Sequence, residues 1–151
     1  MACVWHMTSL PNVALLYQRS VMGMYDHTAF QVSDMDTAIA FYVDKLGFAF
    51  NFRATNADEG EEYALLTLGD VRLELIQDLT LADYLKPDIK PPYCPHLAIE
   101  TGDMEGIVAR LKQNGVPIIR GPLQIEDEET WVYFADPDHN VLEYIQWFRK
   151  K

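Results

Sequence analysis

The feature that most constrains this chain is that it repeats itself. Displaced by 69 residues, the sequence lays His27 on His96, Ala29 on Ala98, Asp34 on Asp103, Met35 on Met104 and Ala40 on Ala109. The same offset lays Leu73-Glu74 on Leu142-Glu143 and Ile76-Gln77 on Ile145-Gln146. The period is too long for a solenoid unit. It describes two half-domains, 24–78 and 94–147, joined by a linker, 79–93, within one domain spanning 24–151. Residues 1–23 fall outside the repeat as an N-terminal extension. Their apolar run Val13 to Tyr17 has neither the basic lead nor the cleavage site of a signal peptide. An added strand, an arm exchanged with a partner, or a start at Met22 or Met24 are all compatible with that segment.

Each half reads as β-α-β-β-β. Residues 25–33 alternate as a strand does. Asp34 offers an N-cap, and Met35, Ile39, Tyr42, Val43 and Leu46 follow at helical spacing until Gly47 ends the helix. Strands are predicted over 48–55, 62–69 and 71–78, with turns at 56–60 and Gly69-Asp70. In the second half a strand covers 94–101, and Asp103 caps a helix bearing Met104, Ile107, Val108 and Leu111. Gly115 ends it, and strands follow over 116–121, 130–135 and 140–147. The fold class is therefore α+β, with tandem βαβββ modules around a cup-shaped mixed sheet. In the linker, Leu81 to Leu85 has the composition of one helical turn, and Pro87, Pro91 and Pro92 make the rest extended. A lid is the alternative reading of that segment.

Strand parity locates the chemistry. If Phe30 and Val32 pack on the helix, His27, Ala29 and Gln31 face away. If Leu73 and Leu75 pack, Arg72, Glu74 and Ile76 face away. The same reasoning sends His96, Ala98 and Glu100, then Val141, Glu143 and Ile145, to the face without helices. Two histidines and two carboxylates on one face suit a single divalent ion: nickel, cobalt, zinc, iron or manganese. A lone strand histidine is usually structural, but a carboxylate in an apolar strand is costly without a partner. Four such residues at one offset and one parity point to His27, Glu74, His96 and Glu143 as metal ligands.

Charge and composition exclude other classes. A net charge of −11 over 151 residues disfavours a nucleic-acid partner. The chain has no apolar run long enough to span a membrane. Two cysteines, Cys3 and Cys94, make no disulfide framework and read as reduced thiols of a cytoplasmic protein. The run Glu126 to Glu129 reads as a solvated loop.

Both halves resemble the vicinal-oxygen-chelate superfamily of glyoxalases, bleomycin resistance proteins and dioxygenases. The resemblance covers 24–147. It rests on Asp26 to Asp34, Ala40-Phe41-Tyr42, Lys45 to Phe48, Pro95 to Ile99 and the segment Phe134 to Glu143. That last segment is similar to the family's Asp-Pro-Asp-Gly-Asn, with His139 at the glycine. The His, Glu, His, Glu set most resembles glyoxalase I. The resemblance implies a metal-dependent lyase or isomerase acting on a small oxygenated substrate through a metal-bound enediolate, with Glu143 and Glu74 as candidate bases. It also implies a homodimer, in which one site can draw ligands from two subunits. A CoA-thioester epimerase resembling methylmalonyl-CoA epimerase is one alternative. A non-catalytic small-molecule binding or resistance protein is the other.

The sequence also departs from glyoxalase I. Gln31 stands where bacterial members carry a glutathione-binding arginine, and Asp78 stands where an asparagine is common. An acidic Asp78 would repel a glutathione carboxylate. Arg53, Arg72 and Arg120 are the candidate replacements. The substrate pocket is expected to involve Gln31, Arg72, Glu100, Trp131 and Tyr133, the two aromatics being core residues in the alternative reading.

Overall fold

The computed structural model describes residues 23–149. The expectations for the N-terminal extension and Cys3 lie outside them. Strand β1 (Thr28–Gln31) leads into helix α1 (Met35–Ala40), whose last turns open into a π-helical segment (Phe41–Leu46). Strands β2 (Ala49–Asn56), β3 (Glu61–Leu68) and β4 (Val71–Asp78) complete the first half. The second half has β5 (His96–Glu100), α2 (Met104–Gln113), β6 (Ile118–Ile125), β7 (Glu129–Ala135) and β8 (Val141–Trp147). The strand order is β1-β4-β3-β2 in one sheet and β5-β8-β7-β6 in the other. Within each half the first and last strands pair in parallel, and all other pairs are antiparallel. The α+β class and both βαβββ modules are as the sequence implies. The strands are laid out as two four-stranded mixed sheets, one per module, with no strand ladder between them among the described residues.

The helix starts follow from local chemistry. Asp34 accepts from the Thr37 N–H at 2.8 Å, and Asp103 accepts from the Gly106 N–H at 2.9 Å. These satisfy donors that a helix leaves orphaned in its first turn. The repeated glutamine explains itself here. Gln77 accepts from the Met35 N–H at 2.7 Å and Gln146 from the Met104 N–H at 3.0 Å. Each half thereby ties its helix to its last strand. The expected single helix from Met35 to Leu46 changes pitch after Ala40. The wider turn lets the consecutive residues Phe41 and Tyr42 both reach the core, at 5% and 0% exposure. Gly47 ends the segment at φ 82°. Leu81 to Leu85 form no helical turn.

Burial follows parity. Phe30, Val32, Leu73 and Leu75 of the first half, and Leu97, Ile99, Phe134 and Leu142 of the second, join one continuous apolar cluster. Each sheet therefore turns its helix-side face to a shared core, and its other face looks away from that core.

A polar latch joins the halves. Asp138 accepts from the Ser33 N–H at 3.0 Å and its hydroxyl at 2.5 Å. Asp136 accepts from the Tyr42 hydroxyl at 2.9 Å, and Asn140 donates to the Gln31 carbonyl at 2.9 Å. Burial pushes the Asp136 carboxyl up, against the lowering effect of its Asn140, Tyr42 and Asp138 donors. Burial, then the Asp136 charge, pushes the Tyr42 phenol well above its ordinary range. His139, at φ 69°, adopts the left-handed backbone that explains a glycine in the family motif. Its Nδ1 meets the Pro87 carbonyl at 3.0 Å.

Removing one partner from such a network leaves buried groups unsatisfied. Asp136→Ala is expected to lower unfolding free energy by about 1–3 kcal/mol, read by urea denaturation. An unchanged midpoint would show that the latch contributes nothing to stability.

Candidate functional site

Parallel pairing places a histidine beside a glutamate in each half. His27 immediately precedes β1, and Ala29 pairs with Glu74 on β4. The His27 Nε2 lies 3.1 Å from a Glu74 carboxylate oxygen. His96 opens β5, and Ala98 pairs with Glu143 on β8. The His96 Nε2 lies 3.2 Å from a Glu143 carboxylate oxygen. The two halves thus build the same pair, on the face away from the core.

The surroundings of the two pairs differ. In the first, the Nδ1 of His27 meets Asp26 at 2.8 Å, and the other oxygen of Asp26 accepts from Arg72. The hydrogen bond to His27, aided by Arg72, holds the Asp26 carboxyl below its usual range. In the second, the Nδ1 of His96 meets the Tyr93 carbonyl at 2.9 Å. Tyr133 pairs with Glu143 across β7 and β8. Its ring stands edge-on to His96 at 5.5 Å and lies 5.1 Å from the Tyr93 ring. Burial first, then the charge and hydrogen bond of Glu143, push the Tyr133 phenol up. Leu65 occupies the corresponding place beside Glu74. Glu143 is buried at 7% exposure, whereas the His27 side chain is 36% exposed.

Each pair fits a divalent ion by donor chemistry and spacing. Neighbouring nitrogen and oxygen ligands bound at about 2.1 Å stand roughly 3.0–3.4 Å apart. Both pairs match that separation. Among the described residues, no three His, Cys, Asp or Glu side chains stand close enough to hold an ion together. The structure therefore brings the four expected ligands together two by two, and not as four within one chain.

The other expected pocket residues divide. Trp131 faces Ile145, and Tyr133 faces Glu143, so both lie on the donor face of the second sheet. Glu100 ends β5 on that face, exposed. Gln31 lines a cavity of about 420 Å³ with Ser33, Gln77, Asp78 and Tyr84, at the end of β1. Glu74 lines another of about 450 Å³ with Thr55, Asn56, Tyr63 and Ile76. Of the three arginines, Arg53 lies away from the donors, bound to Asp36 and Glu62. Arg72 is engaged by Asp26. Arg120 pairs with Tyr133 across β6 and β7, is exposed, and has no acidic partner among the described residues. Tyr93 was not expected at the site, because a backbone carbonyl leaves no mark in a sequence.

A further cavity, about 790 Å³, lies elsewhere, between α2 and strands β6 to β8. Its lining includes Glu105 and Pro122, which the repeat places where the first half has Asp36 and Arg53. At those positions the first half has an ion pair, Arg53 with Asp36, which the second half lacks.

Comparison with known proteins agrees with this architecture. Residues 25–144 match the Glyoxalase/Bleomycin resistance protein/Dioxygenase superfamily. The chain is 32% identical over 121 residues to the metallothiol transferase FosB of Staphylococcus epidermidis, covering 78% of each protein. It is 29% identical over 125 residues to a probable lactoylglutathione lyase of Vibrio cholerae, covering 80% of this chain and 88% of that one. Among solved structures, a glyoxalase family protein from Enterococcus faecalis superposes with a TM-score of 0.65 at 25% identity, covering 83% of this chain and 98% of the other. The chain belongs to the glyoxalase, bleomycin resistance and dioxygenase superfamily, whose members include metal-dependent enzymes.

The link between Tyr133 and Glu143 can be tested without substrate. Glu143→Gln should bring the Tyr133 phenol pKa down while burial still holds it above 10, the ordinary tyrosine value. Tyrosine carbon NMR over a pH series reads this shift. An unmoved resonance would separate the two side chains.

Proposed function

We propose that this chain is a metal-dependent lyase or isomerase whose active centres form between two copies. His27 and Glu74 of one copy would meet His96 and Glu143 of the partner subunit. The observation that carries this reading is the pair of matched histidine–glutamate couples, each with ligand-like spacing and each on a sheet face left outside the shared core. Two half-sites that stand apart in this chain would be completed by a two-fold dimer, which joins unlike halves twice.

A divalent ion held by these four side chains would supply Lewis-acid polarisation of substrate oxygens. The protein's own groups do the rest. Glu143 is the better base, being buried and paired with the Tyr133 phenol, while Glu74 is more open. Glu143 takes a proton from a carbon next to the substrate carbonyl and returns it to the neighbouring carbon. Tyr133 orients that carboxylate. Tyr93, Tyr133 and Trp131 wall the second half of the site and keep water from the reacting carbons. Arg120, without an acidic partner among the described residues, suits a substrate carrying a carboxylate or another anionic group beyond the reacting carbons. Arg72, already bonded to Asp26, is less suited to that task.

Elemental analysis of protein purified without chelator is expected to find about one divalent ion per chain, the stoichiometry of two shared sites in a dimer. A protein that neither contains nor takes up such an ion would move the reading to small-molecule binding without turnover. Glu143→Ala should lower kcat at least about a hundredfold, as for loss of a general base. Solvent-deuterium incorporation into hemithioacetals and acyl-CoA thioesters distinguishes the lyase from the epimerase.

Subunit sharing has its own test. Mixed and re-formed His27→Ala and Glu143→Ala chains should regain about a quarter of the wild-type activity, because half the dimers are mixed and each restores one site. No recovery would place the whole site in one chain. Arg120→Gln should raise KM for an anionic substrate about 10- to 100-fold with a smaller change in kcat, matching one charged hydrogen bond.

A further inference from the structure

We infer that Asp26 is a positioning residue: braced by Arg72, its carboxylate holds the Nδ1 edge of His27 so that Nε2 is the nitrogen presented beside Glu74. The inference rests on the metal reading proposed above. It starts from a chemical requirement. An imidazole binds a metal through one nitrogen in its neutral form, so the other nitrogen must carry the proton, and a fixed acceptor decides which is which.

Both histidines have such an acceptor, but the halves supply it differently. For His96 it is the Tyr93 carbonyl, 2.9 Å from Nδ1. The turn that carries it is pinned by the Tyr93 N–H on the Lys90 carbonyl at 2.9 Å. In the first half the repeat puts Met24 at the position of Tyr93, and Asp26 at the position of Pro95. Pro95 has no side-chain acceptor, and Asp26 has one. Where the second half uses backbone, the first uses a carboxylate, 2.8 Å from Nδ1 of His27.

Arg72 makes the carboxylate directional. It lies two residues before Glu74 on β4, so both point from the same face of one strand. Its guanidinium takes the Asp26 oxygen that His27 does not. Asp26, His27, Glu74 and Arg72 thus close a ring in which one strand carries both the partner of the histidine and the brace of its orienting carboxylate. The tether matters because Asp26 is largely exposed and precedes β1. The Tyr25 hydroxyl, 2.7 Å from the Thr28 hydroxyl, secures the same short approach to the strand.

The test uses full-length protein depleted of metal and titrated with Co²⁺ alone against a chromophoric chelator. Asp26→Ala is expected to weaken Co²⁺ binding about 10- to 100-fold, the usual cost of losing a carboxylate behind a ligand histidine. Its visible Co²⁺ absorption should change as well, because the ring is no longer held in one orientation. Asp26→Asn retains an oxygen acceptor and should stay within a few-fold of wild type, with the wild-type spectrum. The melting temperature of the metal-free protein should be the same in all three, which separates positioning from folding. Wild-type affinity and spectrum in Asp26→Ala would overturn the inference, as would an Asp26→Asn variant as weak as Asp26→Ala. A wild-type protein that takes up no Co²⁺ would overturn the metal reading itself, and this inference with it.

Discussion

Parallel pairing of the first and last strand in each half carries the rest of the structure. It sets His27 beside Glu74 and His96 beside Glu143, although each couple is separated by 47 residues along the chain. A parallel pair cannot be closed by a tight turn and needs a long crossover. Here the helix and two intervening strands supply it. The same crossover lays the helix on one face and leaves the other for chemistry. Gln77 and Gln146 fasten each helix start to the strand bearing the glutamate, so packing and donor geometry rest on the same element.

The halves share this frame and have diverged on it. Glu143 gained a phenol neighbour, Tyr133, where Glu74 has Leu65. The histidines are steadied by a carbonyl in one half and a carboxylate in the other. The surroundings of Glu143 are the more buried and aromatic, properties that suit proton transfer. Those of His27 and Glu74 are more open and carry the charges of Asp26 and Arg72. A centre built from one half of each kind has unlike flanks, and its two carboxylates differ in solvation. Duplication thus supplies the matched histidine–glutamate couples, and the differences between the halves give the two glutamates unlike surroundings.

The latch between the halves explains why they act as one unit despite separate sheets. Asp136 and Asp138 bring carboxyl groups into nearly complete burial, at 4% and 2% exposure. Such groups are tolerated only when their lone pairs are filled. Ser33, Tyr42 and Asn140 fill them, and two of these three come from the other half. The latch also fixes the loop immediately before β8, the strand that bears Glu143. The orientation of the halves and the placement of the proposed base are therefore mechanically connected.

Much of this was legible in the residues because it is local. Strand parity has a period of two, so Leu73 and Leu75 in the core put Glu74 on the opposite face without reference to any other element. Asp34 and Asp103 could be read as caps because a cap bonds within its own first turn. The repeat then identified both donor couples. Three-dimensional packing decided everything that depends on distant partners. Ser33 and Asp138 meet across 105 residues, and no pattern in either segment names the other. Arg53, Arg72 and Arg120 look equivalent in sequence, yet one bridges Asp36 and Glu62, one braces Asp26, and the third has no acidic partner among the described residues. The π-helical turn arose because consecutive aromatics competed for one core. Sequence alone thus determined the module and the sheet face that carries the candidate donors; tertiary structure decided that the couples stand apart, because that depends on how two apolar faces share a single core.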